Sequence, residues 1–304
     1  MKVLIIGLGS IAKKHINSLR KINAETEIFA LRSSKSATKT EGVTDIFSID
    51  EVDMQMIDFV IISNPTFKHY NAIYQVFSYE KPLFIEKPLF SEITKQTDTL
   101  VKQITDKKLI TYIACNLRFL EALQFLKKEI QGKRINEVNV YCGSYLPDWR
   151  PNVDFRTVYS ANKEQGGGVH IDLIHELDYV YWLFGEPEQT RTFFSNNSSL
   201  NISAYDYANY LWIYRHFSVS VVLNYYRKDS KRTIEIITDT GTYEVDILKN
   251  TVDFNKKCIF ASPKKTIDTY DDQMWFFINE IIPRKKQFNN IEEANKILKL
   301  CIKD

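Results

Sequence analysis

The sequence predicts an α/β fold class, with a doubly wound parallel sheet first and then an α+β domain that carries a mainly antiparallel open sheet. Two observations predict it. In the first third, short apolar, β-branched runs alternate with longer and more polar runs, whereas later strand-like runs follow one another with tight turns. We place the domains at residues 1–118 and 119–304, and we expect a packed join because no low-complexity linker separates them.

The composition limits the classes of protein and of partner. With 304 residues, 44% hydrophobic and 13% aromatic, the chain can bury a sizeable core. Forty basic and 38 acidic side chains nearly cancel, which argues against a nucleic-acid partner. No run reaches the roughly eighteen apolar residues that span a bilayer, and "MKVLII" is too short for a signal sequence. We therefore expect a cytosolic protein with no membrane partner.

The four cysteines lie far apart and form no C-x-x-C pair. This spacing is typical neither of a disulfide framework nor of a zinc site, so we expect no metal. All four are predicted to be buried thiols: Cys115, Cys142, Cys258 and Cys301.

Five runs in the first third have the length and residue types of buried strands. They are "KVLII" (2–6), "EIFAL" (27–31), "DFVIIS" (58–63), "PLFIE" (82–86) and "LITYIAC" (109–115). The segments between them are longer and more polar, as expected for helices over 11–22, 67–79 and 91–107. This order indicates a parallel sheet that helices cover on both faces.

After Gly132 the strand-like runs follow one another directly. They are "NEVNVYCG", "TRTFFS", "YANYLWIYR", "SVSVVLNYY", "TIEIITD" and "TYEVDIL". Consecutive strands joined by tight turns indicate an antiparallel sheet.

The turn "GLGSIA" (7–12) follows the first predicted strand and opens the first predicted helix. Gly7 permits a tight turn, Gly9 lets the backbone approach a pyrophosphate, and Ala12 allows close packing of the helix. Ser10 and Ile11 stand at the start of this helix, where backbone N–H groups are available to bind phosphate. Because strand, turn and helix occur in the required order, we predict a Rossmann dinucleotide-binding site; the alternative is a glycine-rich turn with no ligand.

The residues after the second strand favour NADP over NAD. An acidic residue here would accept hydrogen bonds from the ribose of NAD, but the chain has "LRSS" (31–34). Arg32 can pair with a 2′-phosphate, and Ser33 can add a hydroxyl donor. The alternative is that Arg32 is a solvated residue at a strand end.

Two further segments follow strands at the carboxyl edge of the sheet, where ligands bind in open α/β folds. The segment "SNPTFKH" (63–69) follows one strand and "EKP" (86–88) follows the next. A lysine at this edge can serve in proton transfer when desolvation and a nearby cation depress its pKa. Alternatively, Glu86 and Lys87 form a surface ion pair.

Five motifs together resemble those of the Gfo/Idh/MocA oxidoreductases, which act on sugars, sugar nucleotides and cyclitols with NAD or NADP. They occur in the family's order over essentially the whole chain: "GLGSIAKKH", "NPTFKH", "EKP", "CNLRF" and "GGGVHIDLIHELD". The resemblance implies that the first domain binds the cofactor and that the open sheet of the second commonly forms a homo-oligomer. It also implies roles in cofactor binding for Asn64, Pro65, His69, Glu86, Lys87 and Asn116.

The resemblance gives Lys87 a role in substrate binding and proton transfer, and Pro88 matches a position that is often cis. In the glycine-rich motif, the resemblance implies that Asp172 and His175 take part in catalysis and in substrate binding. This chain has two residues between Asp172 and His175, where the family has three. In a continuous helix both spacings put the side chains on one face, and Asp178 could orient the His175 imidazole by the same spacing.

The segment "YLPDWRP" (145–151) adds candidates for substrate binding. Trp149 can stack on a sugar face and Arg150 can grip a carboxylate or phosphate, although the segment could equally be a turn fixed by its prolines. With "DLIHELDY" it resembles the family branch found in surface-polysaccharide and nonulosonic-acid pathways, which suggests a sugar phosphate, amino sugar or nucleotide sugar.

These residues predict an NAD(P)-dependent dehydrogenase or reductase of a secondary alcohol or ketone. A histidine titrates near neutrality, so His175 suits the base, and Lys87 could polarise the oxygen or relay the proton. Asp172 would bind a sugar hydroxyl or tune Lys87. Two alternatives are a non-catalytic NADP(H)-binding sensor or assembly subunit, and a reductase of a non-sugar ligand on the same fold.

Overall fold

The computed structural model describes residues 1–35 and 38–302, which form two compact units. The first unit contains residues 1–115 and 270–298, and the second contains residues 116–269 and the chain from Lys299 onward. The sequence prediction assigned everything after residue 118 to the second domain and did not anticipate the return of 270–298 to the first unit.

A parallel sheet of six strands forms the centre of the first unit. Its strands are Lys2–Ile6 (β1), Glu27–Leu31 (β2), Thr44–Ile46 (β3), Phe59–Ile62 (β4), Leu83–Ile85 (β5) and Thr111–Ile113 (β6). The order across the sheet is β3-β2-β1-β4-β5-β6, which confirms the predicted doubly wound sheet. The five predicted strands form, the first two with the predicted bounds and the other three with shorter ones, whereas β3 was missed because only Ile46 of its three residues is apolar.

The described residues form helices in both units, and the sequence pattern predicted those over 11–22, 67–79 and 91–107 in the first unit. In chain order they are Ser10–Ile22 (α1), His69–Val76 (α2), Lys95–Asp106 (α3), Glu121–Glu129 (α4), Val169–Asp172 (α5), His175–Phe184 (α6), Thr269–Phe276 (α7), Ile282–Arg284 (α8) and Ile291–Ile302 (α9). Helix α1 buries Ala12, His15, Ile16 and Leu19, which recur at helical spacing. This stripe fixes α1 on the unit's core and so fixes the direction of its N-terminus.

The returning segment completes the core of the first unit. The Phe277 ring lies 5.3 Å from the rings of both Phe59 and Phe84, edge to face. Asn289 forms two hydrogen bonds of 2.8 Å with the backbone of Ile113 in β6. These are contacts between distant parts of the chain, which no local pattern reveals.

An eight-stranded sheet forms the centre of the second unit. Its strands are Ile135–Tyr145 (β7), Gln189–Ser195 (β8), Tyr207–Ile213 (β9), Ser218–Asn224 (β10), Tyr226–Thr238 (β11), Thr242–Asp246 (β12), Thr251–Phe254 (β13) and Lys257–Ala261 (β14). The order is β14-β13-β12-β11-β7-β10-β9-β8, and every neighbouring pair is antiparallel except β7 and β10. The predicted mainly antiparallel open sheet is thus confirmed.

The two faces of this sheet differ in character. Alternate residues of β9 and β10, such as Tyr210, Trp212 and Val221, are fully buried on one face. On the other face Phe193 of β8 is 62% exposed and Leu211 of β9 is 37% exposed. The sheet therefore buries one face within the unit and leaves apolar side chains on the other.

The structure bears on two further expectations, the burial of the cysteines and the absence of a membrane-spanning segment. Cys258 is exposed on β14, so the prediction of four buried thiols is wrong for that residue, because four of the five residues of this edge strand are exposed. Within the residues that the structure describes, no helix is long and apolar enough to cross a membrane.

Candidate active site

The turn after β1 needs a glycine at its first position. Gly7 has φ +92°, and a Cβ on it would lie 2.5 Å from the Cα of Asn64. The Ser63 hydroxyl donates to the Gly7 carbonyl at 2.8 Å. The "GLGSIA" turn is thus held against the end of β4.

The start of α1 has the features of an anion site. Gly9 supplies no side-chain cap, the first turn carries no acidic residue, and Ser10 there is exposed while Ile11 is half-buried. A Cβ on Gly9 would meet no described atom within 4 Å, so this side of the turn is open. The Asn64 Oδ1 atom is buried and has no hydrogen-bond partner in the described part of the chain; as an acceptor it suits a hydroxyl or N–H of a ligand rather than a phosphate oxygen. This cradle fits the pyrophosphate of a dinucleotide.

Arg32 has a partner that the sequence did not predict. Its Nη1 donates to Oδ1 of Asp45 in β3 at 2.8 Å, and the two side chains are only 10% and 16% exposed. Arg32 is therefore not the solvated residue of the alternative interpretation. The prediction of a 2′-phosphate partner for Arg32 did not include this contact with a carboxylate. Ser33, the other residue of that prediction, is exposed.

Glu86 is buried and paired with a histidine of α1. Its Oε1 lies 2.6 Å from Nε2 of His15, and its Oε2 accepts from the Lys87 backbone N–H at 3.2 Å. Because Glu86 is only 8% exposed, the alternative of a surface ion pair with Lys87 is wrong. The pair with His15 links α1, and thus the glycine turn, to the end of β5.

Lys87 is half-buried directly after β5, and the Lys87–Pro88 peptide bond is cis, as the resemblance implied. The loop containing Pro65 lies beside it, at the end of β4, and is joined to it through His69. The His69 Nε2 lies 2.9 Å from the Asn64 carbonyl, and Nδ1 lies 3.1 Å from the Pro88 carbonyl. His69 thus ties the two loops together.

Burial lowers the pKa of the His69 imidazole. A neutral ring has one N–H, so only one of its two nitrogens donates, although three backbone carbonyl oxygens face them, those of Asn64, Pro88 and Leu89. The side chain is only 1% exposed and its ring nitrogens face backbone atoms. The predicted contact between His69 and the cofactor is thus replaced by a structural role, because the ring lies beneath the loops.

Asn116 begins a short 3-10 helix in the second unit. Its Nδ2 donates to Oγ1 of Thr269 at 2.7 Å, and the side chain is 3% exposed. The predicted contact of Asn116 with nicotinamide stays a prediction. Because Nδ2 is used by Thr269, the Oδ1 atom would make that contact.

The glycine triplet serves the packing of the protein itself. A Cβ on Gly167 would lie 1.9 Å from the Tyr159 carbonyl oxygen, and the Gly167 N–H donates to the Asn162 carbonyl at 3.0 Å. Gly167 thus lets the backbone of the segment 159–162 lie in direct contact with the start of the motif.

That close approach creates a cluster around Asp172. The Tyr159 hydroxyl donates to Oδ1 at 2.6 Å, and the Tyr225 hydroxyl donates to Oδ2 at 2.5 Å. Burial and the neighbouring carboxylate raise the pKa of both tyrosines, so both hydroxyls stay protonated and continue to donate. Asp172, 6% exposed, is therefore held in one orientation by two donors.

The predicted single helix through Asp172 and His175 is two helices. Helix α5 ends at Asp172, and α6 begins at His175 after the turn of Leu173 and Ile174. Because Asp172 and His175 lie on different helices, their spacing in the sequence does not set the relative direction of their side chains. The prediction that one continuous helix puts both on the same face is wrong. His175 is half-buried as the first residue of α6.

Asp178 forms an ion pair that the sequence did not predict. Its two carboxylate oxygens accept from Arg118 Nε at 2.9 Å and from Nη2 at 2.7 Å, and both side chains are buried. This bidentate pair fastens α6 to the segment before α4. That Asp178 orients His175 stays a prediction.

Trp149 and Arg150 lie beside the Asp172 cluster in the second unit. The Trp149 ring meets the Tyr225 ring edge to face at 5.3 Å, and its Nε1 donates to Ser144 at 3.0 Å. The Arg150 guanidinium lies 5.9 Å from the centre of the Tyr159 ring. Both residues line a concave surface with Leu146, Phe155, Val158 and Ser160.

Two family models match this chain. Residues 1–114 match the oxidoreductase family with an NAD-binding Rossmann fold, and residues 123–244 match the GFO/IDH/MocA C-terminal domain. The chain belongs to the Gfo/Idh/MocA family. The Rossmann domain predicted from "GLGSIA" is therefore the family's NAD-binding domain.

Named relatives match part of the chain. It is 29% identical over 147 residues to 2,7-anhydro-N-acetylneuraminate hydratase of Escherichia coli (strain K12), covering 48% of this chain and 38% of the relative. It is 26% identical over 189 residues to inositol 2-dehydrogenase of Rhizobium meliloti (strain 1021), covering 60% and 54%. The chain thus spans only 38% and 54% of the lengths of these relatives.

The fold is also that of a solved relative. Scyllo-inositol dehydrogenase from Lactobacillus casei, with bound cofactor NAD(H) and scyllo-inositol, has a TM-score of 0.79 at 20% identity, covering 99% of this chain and 95% of that chain. A likeness at this identity establishes the shared architecture.

Proposed function

We propose that this Gfo/Idh/MocA protein is an NAD(P)-dependent dehydrogenase or reductase that acts on a secondary alcohol or ketone of a sugar, sugar phosphate or nucleotide sugar. The observation that carries the proposal is the buried Asp172 carboxylate, held by two tyrosine hydroxyls. A carboxylate kept in one orientation can accept a hydrogen bond from a substrate hydroxyl, as recognition of a polyol requires. The open cradle at Gly9 supports the nicotinamide cofactor.

The proposed chemistry divides between cofactor and protein. When bound, the nicotinamide ring takes or gives the hydride at the reacting carbon. His175 would take the hydroxyl proton as the alcohol is oxidised, because its ordinary pKa lies near neutrality. Lys87 is the other candidate for taking this proton. Asp172 would orient the sugar through a neighbouring hydroxyl.

The substrate class follows from the side chains around Asp172. Trp149 is 39% exposed and offers an aromatic face to a sugar ring, while Arg150 offers a cation to a phosphate or carboxylate. The alternative of a non-sugar reductase requires an aliphatic pocket. The cluster around Asp172 is instead built from hydroxyl groups, which favours a sugar.

Three finer predictions belong to this proposal. A preference for NADP over NAD, predicted from Arg32 and Ser33, stays a prediction, and the Asp45 carboxylate beside Arg32 acts against it. A homo-oligomer formed through the second sheet is supported by the exposed Phe193 and Leu211. Light scattering of wild type and Phe193→Asp checks that assembly, which the substitution should break. A cytosolic location also stays a prediction.

A substrate panel tests the activity. Sugars, inositols, sugar phosphates and nucleotide sugars are each incubated with NAD or NADP, and the absorbance of reduced nicotinamide is followed. Lys87→Ala and His175→Ala should each lower the rate by about a hundredfold or more, the usual contribution of acid–base catalysis. Lys102→Ala and the exposed His216→Ala are matched controls that should leave it unchanged.

The panel also separates the proposal from its alternatives. Unaltered rates in both Lys87→Ala and His175→Ala would contradict the proposed mechanism. Dinucleotide binding without turnover of any compound would favour the sensor or assembly subunit.

A second candidate is a reaction with no net change in the nicotinamide. It is favoured by the 29% identity to a relative named as a hydratase. In that case, product would accumulate in molar excess over the dinucleotide, without the absorbance change. Mass spectrometry of the same reactions detects such a product.

A further inference from the structure

The end of the second strand carries an ion pair that the sheet itself builds. Strands β2 and β3 pair in parallel, with Ala30 opposite Asp45 and Leu31 opposite Ile46. The Arg32 backbone N–H donates to the Ile46 carbonyl at 2.9 Å, and its guanidinium donates to Asp45 at 2.8 Å. Backbone and side chain of Arg32 are thus both tied to β3, so the guanidinium cannot move without leaving the carboxylate.

The Arg32 guanidinium contacts acceptors, whereas the ammonium of Lys35 contacts an aromatic ring. Asp45 carries one negative charge in direct contact, and the carbonyl of Thr38 lies 3.4 Å from the guanidinium as a further acceptor. The Lys35 ammonium lies 5.6 Å from the centre of the Phe47 ring. A 2′-phosphate would bring about −1.5 to −2 charges to this position. It would either displace Asp45 or bind beside it, and both arrangements bring two anions close together.

The ribose hydroxyl of NAD meets no such penalty. It is neutral, and it can donate to a carboxylate or accept from an N–H of the guanidinium. We propose that Asp45 is the residue that sets cofactor choice in this chain: by holding Arg32 it disfavours a 2′-phosphate and selects NAD(H). This inference rests on the proposed dehydrogenase function, and it reverses the preference for NADP that Arg32 suggests in the sequence.

Binding titrations with NADH and NADPH test the proposal without a sugar substrate. Wild type should bind NADH at least as tightly as NADPH. Asp45→Asn keeps the size of the side chain and removes its charge, so NADPH should bind about tenfold tighter or more, with little change for NADH. Asp106→Asn removes an equal charge from the exposed pair with Lys102, and it should leave both affinities unchanged.

A double variant assigns the effect to Arg32. Arg32→Ala combined with Asp45→Asn should lose the gain in NADPH affinity, because the cation that receives the phosphate is gone. Thermal melts verify that each variant folds, and Asp45→Ser gives a second test should Asp45→Asn be unstable.

Three results would overturn the proposal. They are tighter binding of NADPH than of NADH by wild type, an unchanged ratio of the two affinities in both Asp45 variants, or the same gain with and without Arg32. Binding of neither dinucleotide would instead overturn the proposed function, and this inference with it.

Discussion

Replacing Tyr225 by phenylalanine removes one hydroxyl and keeps the ring that packs against Trp149. In the wild type that hydroxyl donates to Asp172 Oδ2 at 2.5 Å, and both side chains are buried. A hydrogen bond to a charged group contributes about 1.5–3 kcal/mol, and about 1.4 kcal/mol corresponds to a factor of ten. If Asp172 orients the substrate, kcat/KM should fall by about tenfold to a hundredfold in Tyr225→Phe.

Steady-state kinetics with the best substrate of the panel measures this loss. Tyr159→Phe should give a loss of the same kind, because its hydroxyl holds the other oxygen of Asp172 at 2.6 Å. Tyr214→Phe is the matched control, since its hydroxyl donates to the Gly185 carbonyl at 3.0 Å, and it should keep the wild-type kcat/KM. A kcat/KM within about twofold of wild type in both folded variants, Tyr225→Phe and Tyr159→Phe, would contradict a role of Asp172 in orienting the substrate.

Three further predictions concern stability and cofactor binding. Asp178→Asn leaves Arg118 buried without its carboxylate, so urea unfolding should show a loss of about 3–5 kcal/mol. Gly9→Ala should keep the melting temperature but weaken NADH binding, because its Cβ projects into open space, whereas Gly7→Ala should lower the melting temperature through the contact with the backbone of Asn64. The pKa of His69 is lowered in the folded protein, so below about pH 6.5 the unfolded chain binds a proton that the folded chain does not. The free energy of unfolding should therefore fall from pH 7 to pH 5.5, and it should fall by less in His69→Gln.

Local patterns in the sequence predicted the fold and the cofactor half well. Strand β1, the glycine turn and α1 are adjacent in the chain, so their residue types alone predict both the geometry and the open position at Gly9. The same holds for β9 and β10, which follow one another in the chain and pair in antiparallel fashion, as their consecutive strand-like runs predict. In each case the determining contacts lie within a few residues or follow a regular period.

The parts that could not be predicted depend on contacts between distant residues. Tyr225 lies 53 residues after Asp172, and no pattern around "LNYYR" marks its hydroxyl as a partner of that carboxylate. Asp45 lies in a strand of only three residues, so its pairing with Arg32 follows from sheet register rather than from sequence. The break between α5 and α6 has no glycine or proline to signal it, since Leu173 and Ile174 are ordinary helix residues.

The central claim is that a hydride passes between the secondary carbon of a sugar and nicotinamide. Its most direct test uses the best substrate of the panel, labelled with deuterium at that carbon, and mass spectrometry of the dinucleotide after turnover. We predict one deuterium in the reduced dinucleotide, at a rate that falls by about a hundredfold in Lys87→Ala. Consumption of the labelled sugar with no deuterium in the dinucleotide would contradict it.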